Sequence, residues 1–382
     1  MLDKLFPKKQ SLEYSQETID ILRLIRSENV GPKTFSNLVS LFGSAKNALD
    51  NIAEYSLRGG RSKPIKICSE EEALKEIEAH NKAEAKIITY QDLNFSELLL
   101  KIYDFPPVLS YKGNIELLNA EKPIAIVGAR NCSINSRGFA AQIAKHLVAN
   151  GFMTVSGLAK GIDTAAHTAS IGSTIAVIAG GIDHIYPLEN KRLFEQLAHQ
   201  SLILAELPIG TKPLAQHFPQ RNRIISGLSL ATIVIEASLK SGSLITANFA
   251  LEQGRDIFAA PGFALDPRCM GTNKLIKDGA FLLESADDVI SAFANHKNFK
   301  KVLEESENSG NNFTSFMESE NLAINDDERD MVVKLLSSSP VSIELLSNMT
   351  NLPMPNIYTI CLELELAGKI VRHVGNKISL LY

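Results

Sequence analysis

The amino-acid sequence predicts an α/β protein with a doubly wound, mainly parallel central sheet, and two patterns lead to that fold class. Short β-rich runs that are mostly apolar lie at 124–127, 152–156, 174–179, 202–207, 232–237 and 256–260. Helical patterns fill the gaps between them, notably at 137–149, 162–170, 191–198 and 244–253. Strands that lack a polar face are covered on both sides, and strands that alternate with helices pair in parallel. Residues 86–295, with a core at 120–290, are therefore predicted to form a Rossmann-like domain.

A small helical domain is expected before it, over residues 1–85. Apolar residues recur at three- and four-residue spacing in 16–58, and the segment NVGPKTF places a Gly-Pro turn between two helices. This order is typical of a helix-hairpin-helix (SAM-like) domain, in which turn amides meet a DNA phosphate. A plain helical bundle whose turn needs a glycine fits the same pattern.

The end of the chain predicts a winged-helix domain over 328–382, after a linker at 296–327 that contains NSGNNFTS. Three helical patterns are followed by a Gly-Lys turn and two short β runs. From Asp326 onward acidic residues outnumber basic ones. Because phosphate contacts supply most of the affinity for nucleic acid, this charge favours a protein-interaction or regulatory module over a strong DNA reader.

Composition narrows the class of protein. With 45% hydrophobic and 21% charged residues, the chain is that of a globular protein, and its net charge of −4 confines any polyanion site to a local basic patch. The four cysteines lie far apart without a CxxC pair, which argues against zinc or disulfides and suits a reducing cytoplasm.

The first 15 residues carry charges where a signal peptide needs an apolar core. No apolar run approaches the length of about 18 residues that a membrane span needs. Neither secretion nor a membrane span is expected.

The candidate binding residues lie in the loops that follow the predicted strands, where ligands of open parallel sheets bind. Glycines there let the backbone turn sharply and bring its amides to a ligand, and a helix N-terminus adds partial positive charge. The glycines are Gly128, Gly157 and Gly161, and the cations at the same edge are Arg130, Lys160, Arg221, Arg223 and Lys240. Together they predict a ligand that carries phosphate.

The segment FPQRNR at 218–223 is expected to end a loop longer than the fold requires. Arg221 and Arg223 flank Asn222, and this arrangement offers forked donors for phosphates and base edges. Phe218 could stack on a base. The alternative interpretation is a pair of surface arginines beside a packed phenylalanine.

Other familiar sites do not fit the sequence. The first loop lacks GxGxxG and the chain lacks GxxxxGK[ST], so neither a dinucleotide cofactor nor a P-loop ATPase is expected. Ser156, Asp163 and His167 lie close together, but the serine precedes the glycine turn and does not form GxSxG. We therefore predict that these three residues stabilise the turn. No catalytic residue, metal or cofactor is assigned.

Six blocks between 120 and 285 together resemble the DNA-processing protein A (DprA/Smf) family. In order, they are VGAR, SGLAKGIDTAAH, TIAVIAGGIDHIYP, FPQRNRIISGLS, IVIEASLKSGSLITANFALEQGRDIFAAPG and GTNKLIKDGA. The resemblance implies a non-enzymatic, homodimeric bacterial cytoplasmic protein. Such a protein binds and protects single-stranded DNA and helps load RecA recombinase during natural transformation and recombination.

The resemblance also implies which residues contact the DNA. The backbone would be contacted by Arg130, Lys160 and the 221–223 segment. Amides and hydroxyls would come from the turn at 157–161 and from Ser241, Gly242 and Ser243. Ala129 stands where many relatives carry serine, and this difference removes one hydroxyl donor.

Two alternative functions stay open. Nucleotide N-glycosidic hydrolases of the LOG type also place a glycine-rich turn before a helix, but their PGGxGTxxE motif has a carboxylate one turn into that helix. This chain has Ala247 and Asn248 there, and its acid, Glu252, comes a turn later. The third hypothesis is a scaffold that binds a nucleotide signal and reports through the winged helix.

Overall fold

The computed structural model describes residues 14–294, 324–373 and 375–381, which fall into two compact units. One unit combines the two ends of the chain, residues 1–75 and 300–382, and the other contains residues 76–299. Of the linker expected at 296–327, residues 296–323 lie outside the described residues. The last two positions of the expected linker, 326 and 327, belong to a helix that begins at Asp326.

The first helices of the chain contain the predicted hairpin. They are α1 (Gln16–Ile25), α2 (Pro32–Phe42), α3 (Ala45–Arg58) and α4 (Glu70–Lys82). Gly31 is the N-cap of α2 and Pro32 takes its first position, where the missing N–H has no helical partner. Gly43 ends α2 with φ +78°, a left-handed conformation that glycine adopts without strain.

The larger unit is built on a nine-stranded sheet, which confirms the predicted fold class. Its strands are β1 (Lys86–Thr89), β2 (Val108–Gly113), β3 (Pro123–Gly128), β4 (Met153–Ser156), β5 (Thr174–Ile178), β6 (Leu202–Ala205), β7 (Ala231–Ile235), β8 (Asp256–Ala259) and β9 (Phe281–Leu282). Their spatial order is β1-β2-β6-β5-β4-β3-β7-β8-β9. In this spatial order, every neighbouring pair from β6 through to β9 is parallel. At the other edge, β1 pairs with β2 and β2 with β6 in antiparallel fashion.

Helices cover both faces of this sheet. They are α5 (Glu97–Leu100), α6 (Ile134–Ala149), α7 (Ile162–Ala169), α8 (Lys191–Gln200), α9 (His217–Gly227), α10 (Gly242–Glu252), α11 (Met270–Lys277) and α12 (Ala286–Ala292). Alternate residues of β3 point to opposite faces of the sheet and belong to different hydrophobic clusters. Ile124 and Ile126 share one with apolar residues of α6 and α7, and Ala125 and Val127 share another with those of α9 and α10. This two-sided burial explains why the strands are mostly apolar.

The segment 218–223 is helical, which corrects the expectation of a loop. Helix α9 begins at His217, so Pro219 lies in its first turn. A proline is tolerated there because the first backbone N–H groups of a helix have no acceptor within it. The aromatic and arginine side chains therefore project at helical spacing.

The C-terminal described residues form the predicted winged helix. Its elements are α13 (Asp326–Leu335), β10 (Val341–Ser342), α14 (Ile343–Thr350), α15 (Met354–Leu366), β11 (Ile370–His373) and β12 (Lys377–Leu380). The strands pair in the antiparallel order β10-β12-β11. Across all described residues, no helix has both the length and the apolar character that crossing a membrane requires.

Candidate nucleic-acid interface

An open groove of about 840 Å³ lies at the carboxyl ends of the parallel strands. Residues from the loops after β3, β4, β5 and β7 line it, together with the first turns of α9. A smaller recess of about 190 Å³ adjoins the groove and shares Arg130, Tyr186, Phe218 and Arg221 with it. The loops named from the sequence therefore do converge, as expected for the carboxyl edge of a doubly wound sheet.

An arginine and two aromatic rings form a cluster in the lining of the groove. The guanidinium carbon of Arg130 lies 5.0 Å from the centre of the Phe218 ring. That ring meets the Tyr186 ring edge to face, with 5.5 Å between their centres. Tyr186 is 49% exposed. The cluster joins a positive charge to aromatic surfaces, which is the combination that contacts phosphates and unstacked bases.

Arg221 lines the base of the groove but is largely held by the protein. It is 6% exposed, and its Nη1 donates hydrogen bonds to the carbonyls of Gly157 and Val177. Burial lowers the pKa of Arg221 to about 10, and the carboxylate of Asp163 opposes that shift. Burial raises the pKa of Asp163, while the charge of Arg221 and hydrogen bonds lower it. Arg221 therefore ties α9 to β5 and to the turn after β4.

Arg223 lies away from the groove, contrary to the expectation that it faces the ligand with Arg221. Its guanidinium forms ion pairs with Glu206 at 2.5 Å and with Asp104 at 3.2 Å. On a helix of 3.6 residues per turn, positions two apart point about 200° from each other. Asn222, between them, does line the groove and donates to the carbonyl of Gly242 at 3.4 Å.

The glycines allow close packing within the protein. A Cβ at Gly128 would collide with the carbonyl of Ile235, and one at Gly157 with the guanidinium of Arg221. Gly161 has φ +81°, and a Cβ there would collide with the carbonyls of Ala129 and Arg130. Gly128 lines the groove and Gly157 the recess, whereas Gly161 lines a separate depression beside α6 and α7. These residues set the shape of the edge and need not bring their own amides to a ligand.

Of the other residues predicted to contact the ligand, some line the groove or the recess and one does not. Lys160 lines the recess, is exposed, and forms an ion pair with Glu189. Ser241 is the N-cap of α10, with its hydroxyl 2.7 Å from that of Ser243. Both serines and Gly242 line the groove, so the positive end of α10 faces it. Lys240 is exposed but lies outside the groove lining.

Ser156, Asp163 and His167 all form hydrogen bonds within the protein, and those of Asp163 hold the turn after β4. Ser156 donates to the carbonyl of Ile126 at 2.6 Å, and Asp163 accepts from the N–H groups of Gly157 and Ala159. His167 Nδ1 lies 2.8 Å from the Thr174 hydroxyl, and burial lowers the pKa of His167 to about 3. Its ring is therefore neutral at physiological pH.

Two residues that sequence reasoning missed help to build the site. Tyr186 belongs to the loop after β5. An aromatic residue next to Pro187 in that loop was the sequence feature that could have identified it as part of the site. Glu236, which is 4% exposed, follows β7 in a left-handed conformation with φ +53°. Its carboxylate accepts from the Ser133 hydroxyl at 2.6 Å, and its carbonyl accepts from the Ala129 N–H at 2.8 Å. Glu236 thereby fixes both sides of the loop that carries Arg130, and an acid directly after an apolar strand was its signal.

No group of His, Cys, Asp and Glu side chains within the described part of the chain could hold a metal ion. Glu252, the acid compared with the LOG motif, is exposed at the last position of α10. It lies outside the groove lining.

Family models and known proteins were compared with the chain. The model described as DNA recombination-mediator protein A matches residues 86–294. A DprA-like N-terminal HHH domain model matches 15–79, and a DprA winged helix domain model matches 318–376.

Curated relatives match half or more of the chain. The chain is 50% identical to the DNA processing protein DprA of Bacillus subtilis over 194 residues, which are 50% of this chain and 65% of that protein. It is 34% identical to Protein Smf of Escherichia coli over 286 residues, 74% of each.

Solved structures extend the comparison to the fold. The structure of DprA from Streptococcus pneumoniae matches with a TM-score of 0.60 and 36% identity, over 73% of this chain and 98% of that one. A Helicobacter pylori DprA structure, described by its single-stranded DNA binding mode, matches with a TM-score of 0.52 and 28% identity, over 56% and 98%. The chain belongs to the DNA recombination-mediator protein A (DprA/Smf) family.

Proposed function

We propose that the protein binds single-stranded DNA in the groove, without catalysing a reaction on it. The observation that carries this proposal is the cluster of Arg130, Phe218 and Tyr186 in the lining of the groove. A sequence-tolerant single-strand binder needs cations along the backbone and aromatic surfaces for the bases, because every base has a stacking face. The single-stranded DNA binding described for the Helicobacter pylori relative supports the same assignment.

The geometry favours a single strand over a duplex. Phe218 and Tyr186 meet edge to face, so their rings offer stacking surfaces in two directions. Bases inside a duplex are already stacked and present only their edges, whereas a single strand can turn its bases onto protein side chains. Arg130 and the N-terminus of α10 supply positive charge for the phosphates beside them.

We further propose the role that family membership suggests: protecting incoming DNA and helping to load RecA recombinase in the bacterial cytoplasm during natural transformation and recombination. In a homodimer, two grooves would bind one strand. Simultaneous binding raises the apparent affinity through the effective concentration of the second site.

The experiment that tests this function compares binding of one labelled oligonucleotide, single-stranded or annealed to its complement, at two salt concentrations. We expect the single strand to bind at least about tenfold more tightly than the duplex, a difference of roughly 1.4 kcal/mol. Its affinity should fall as salt rises, with a slope of about −0.7 for each phosphate contacted. Equal affinity for both forms would contradict single-strand binding. Release of free base from a nucleoside monophosphate would favour the hydrolase alternative.

A further inference from the structure

The third helix of the winged helix, α15, is buried on two sides. In helix-turn-helix domains the recognition helix lies in the major groove of DNA, so one of its faces must be open. Ile357, Ile360 and Leu364 on α15 belong to the winged-helix core. Leu362 and Leu366, one turn apart, lie outside that core and are nevertheless only 3% and 0% exposed.

The N-terminal helices cover this second face of α15, within the unit that the chain ends form together. Asn29, in the turn between α1 and α2, donates a hydrogen bond to the carbonyl of Leu366 at 3.0 Å. At the end of α3, a Cβ on Gly59 would collide with the carbonyl of Glu363 and would lie 2.8 Å from the Cβ of Ala367. The backbone of α3 therefore meets the backbone of α15 at a distance that only glycine permits.

The charge of α15 suits a protein partner. Its sequence, MPNIYTICLELEL, contains two glutamates and neither lysine nor arginine. Glu363 is 1% exposed, and its carboxylate accepts a hydrogen bond from Arg329 Nε at 2.8 Å. Glu365 is likewise paired, with Arg372 Nε at 2.9 Å. A helix without lysine or arginine offers no cation to a phosphate, and a buried acid that is paired within its own domain can be covered by another domain.

We propose that the face of α15 that reads DNA in other winged helices is here a docking surface for the N-terminal helical domain of the same chain. The winged helix then packs against the N-terminal helical domain and makes no contact with duplex DNA. This inference rests on contacts outside the groove and does not depend on the proposed function.

The variant Gly59→Ala in the full chain tests the docking. Gly59 has φ −67°, a conformation that alanine adopts easily, so the added methyl strains only the contact with α15. Amide hydrogen exchange of the segments 45–58 and 354–366 is expected to become at least about tenfold faster. The control is Gly31→Ala, because a Cβ at Gly31 meets nothing within 4 Å. Unchanged exchange in Gly59→Ala would overturn the proposal.

A second variant covers the case in which Gly59→Ala unfolds the N-terminal domain, which loss of exchange protection in α1 would reveal. Asn29 has φ +60°, so Asn29→Gly keeps the turn and removes only the donor to Leu366. Faster exchange in 354–366, with α1 still protected, supports docking. Exchange as slow as in the wild type contradicts it. A gain of duplex affinity in either variant would show that α15 reads DNA once it is undocked, and would overturn the statement that the winged helix makes no contact with duplex DNA.

Discussion

Replacing Arg221 with methionine is expected to lower the free energy of unfolding by about 3–5 kcal/mol. The guanidinium donates to the carbonyls of Gly157 and Val177 in the interior, and its charge faces that of Asp163. Methionine fills part of the volume but leaves both carbonyls without this donor and leaves a buried carboxylate without its counter-charge. Urea unfolding followed by circular dichroism measures the loss.

The matched control adds Asp163→Asn to Arg221→Met. Removing the buried charge should recover part of the lost stability, since an amide oxygen can still accept from the N–H groups of Gly157 and Ala159. If Arg221→Met instead kept wild-type stability and only lost affinity for DNA, Arg221 would be a ligand contact and its structural role would be rejected.

Replacing Arg130 with alanine is expected to weaken binding of a single-stranded oligonucleotide by about 10- to 30-fold, or roughly 1.4–2 kcal/mol. The side chain is exposed in the groove and contacts the Phe218 ring, so its removal takes away a phosphate donor and leaves the fold intact. The slope of affinity against salt should fall by about the value for one phosphate contact. Fluorescence anisotropy across a salt series measures both effects.

Lys122→Ala is the control for this experiment. Lys122 also contacts an aromatic ring, with its Nζ 5.1 Å from the centre of Phe152, and it lies just before β3, at the amino end of the strands. The substitution removes one charge and one cation–π contact from the opposite edge of the sheet. Equal loss of affinity in both variants would mean that general charge, rather than the groove, governs binding.

The fold was predictable from the sequence because burial on both faces leaves a clear pattern. Strands from β3 to β8 are mostly apolar and almost entirely buried, and the helices between them are long enough to recognise. The edge to which their loops converge follows from the parallel arrangement alone. The fold and the location of the groove could therefore be derived without a structure.

The direction of individual side chains could not be derived in the same way. Pro219 suggested a loop, but it occupies the first turn of α9, and helical geometry then turns Arg223 toward Glu206 and Asp104. The glycines do lie at the carboxyl edge of the sheet, but their contacts give another reason for glycine there than the approach of backbone amides to a ligand. Gly128 and Gly161 allow neighbouring backbone segments to approach, a requirement that only the three-dimensional packing reveals.

Tyr186 and Glu236 act through long-range contacts, and the local sequence features that mark the two residues do not reveal those partners. The ring of Tyr186, in the loop after β5, reaches Phe218, which lies beyond the next strand in helix α9. The carboxylate of Glu236 reaches Ser133, far from it in sequence. Such pairs become visible only when the sheet brings β3, β5 and β7 into their spatial order.

The most direct test of the central claim is photocrosslinking of the full chain to a single-stranded oligonucleotide that contains 5-bromodeoxyuridine, with the crosslinked residues identified by mass spectrometry. Bases that stack in the groove should crosslink to Phe218 and Tyr186. The Arg130→Ala variant should give the same crosslinks at lower yield. Crosslinks confined to the helices α1–α3 or to the winged helix, with none at the groove, would contradict the account.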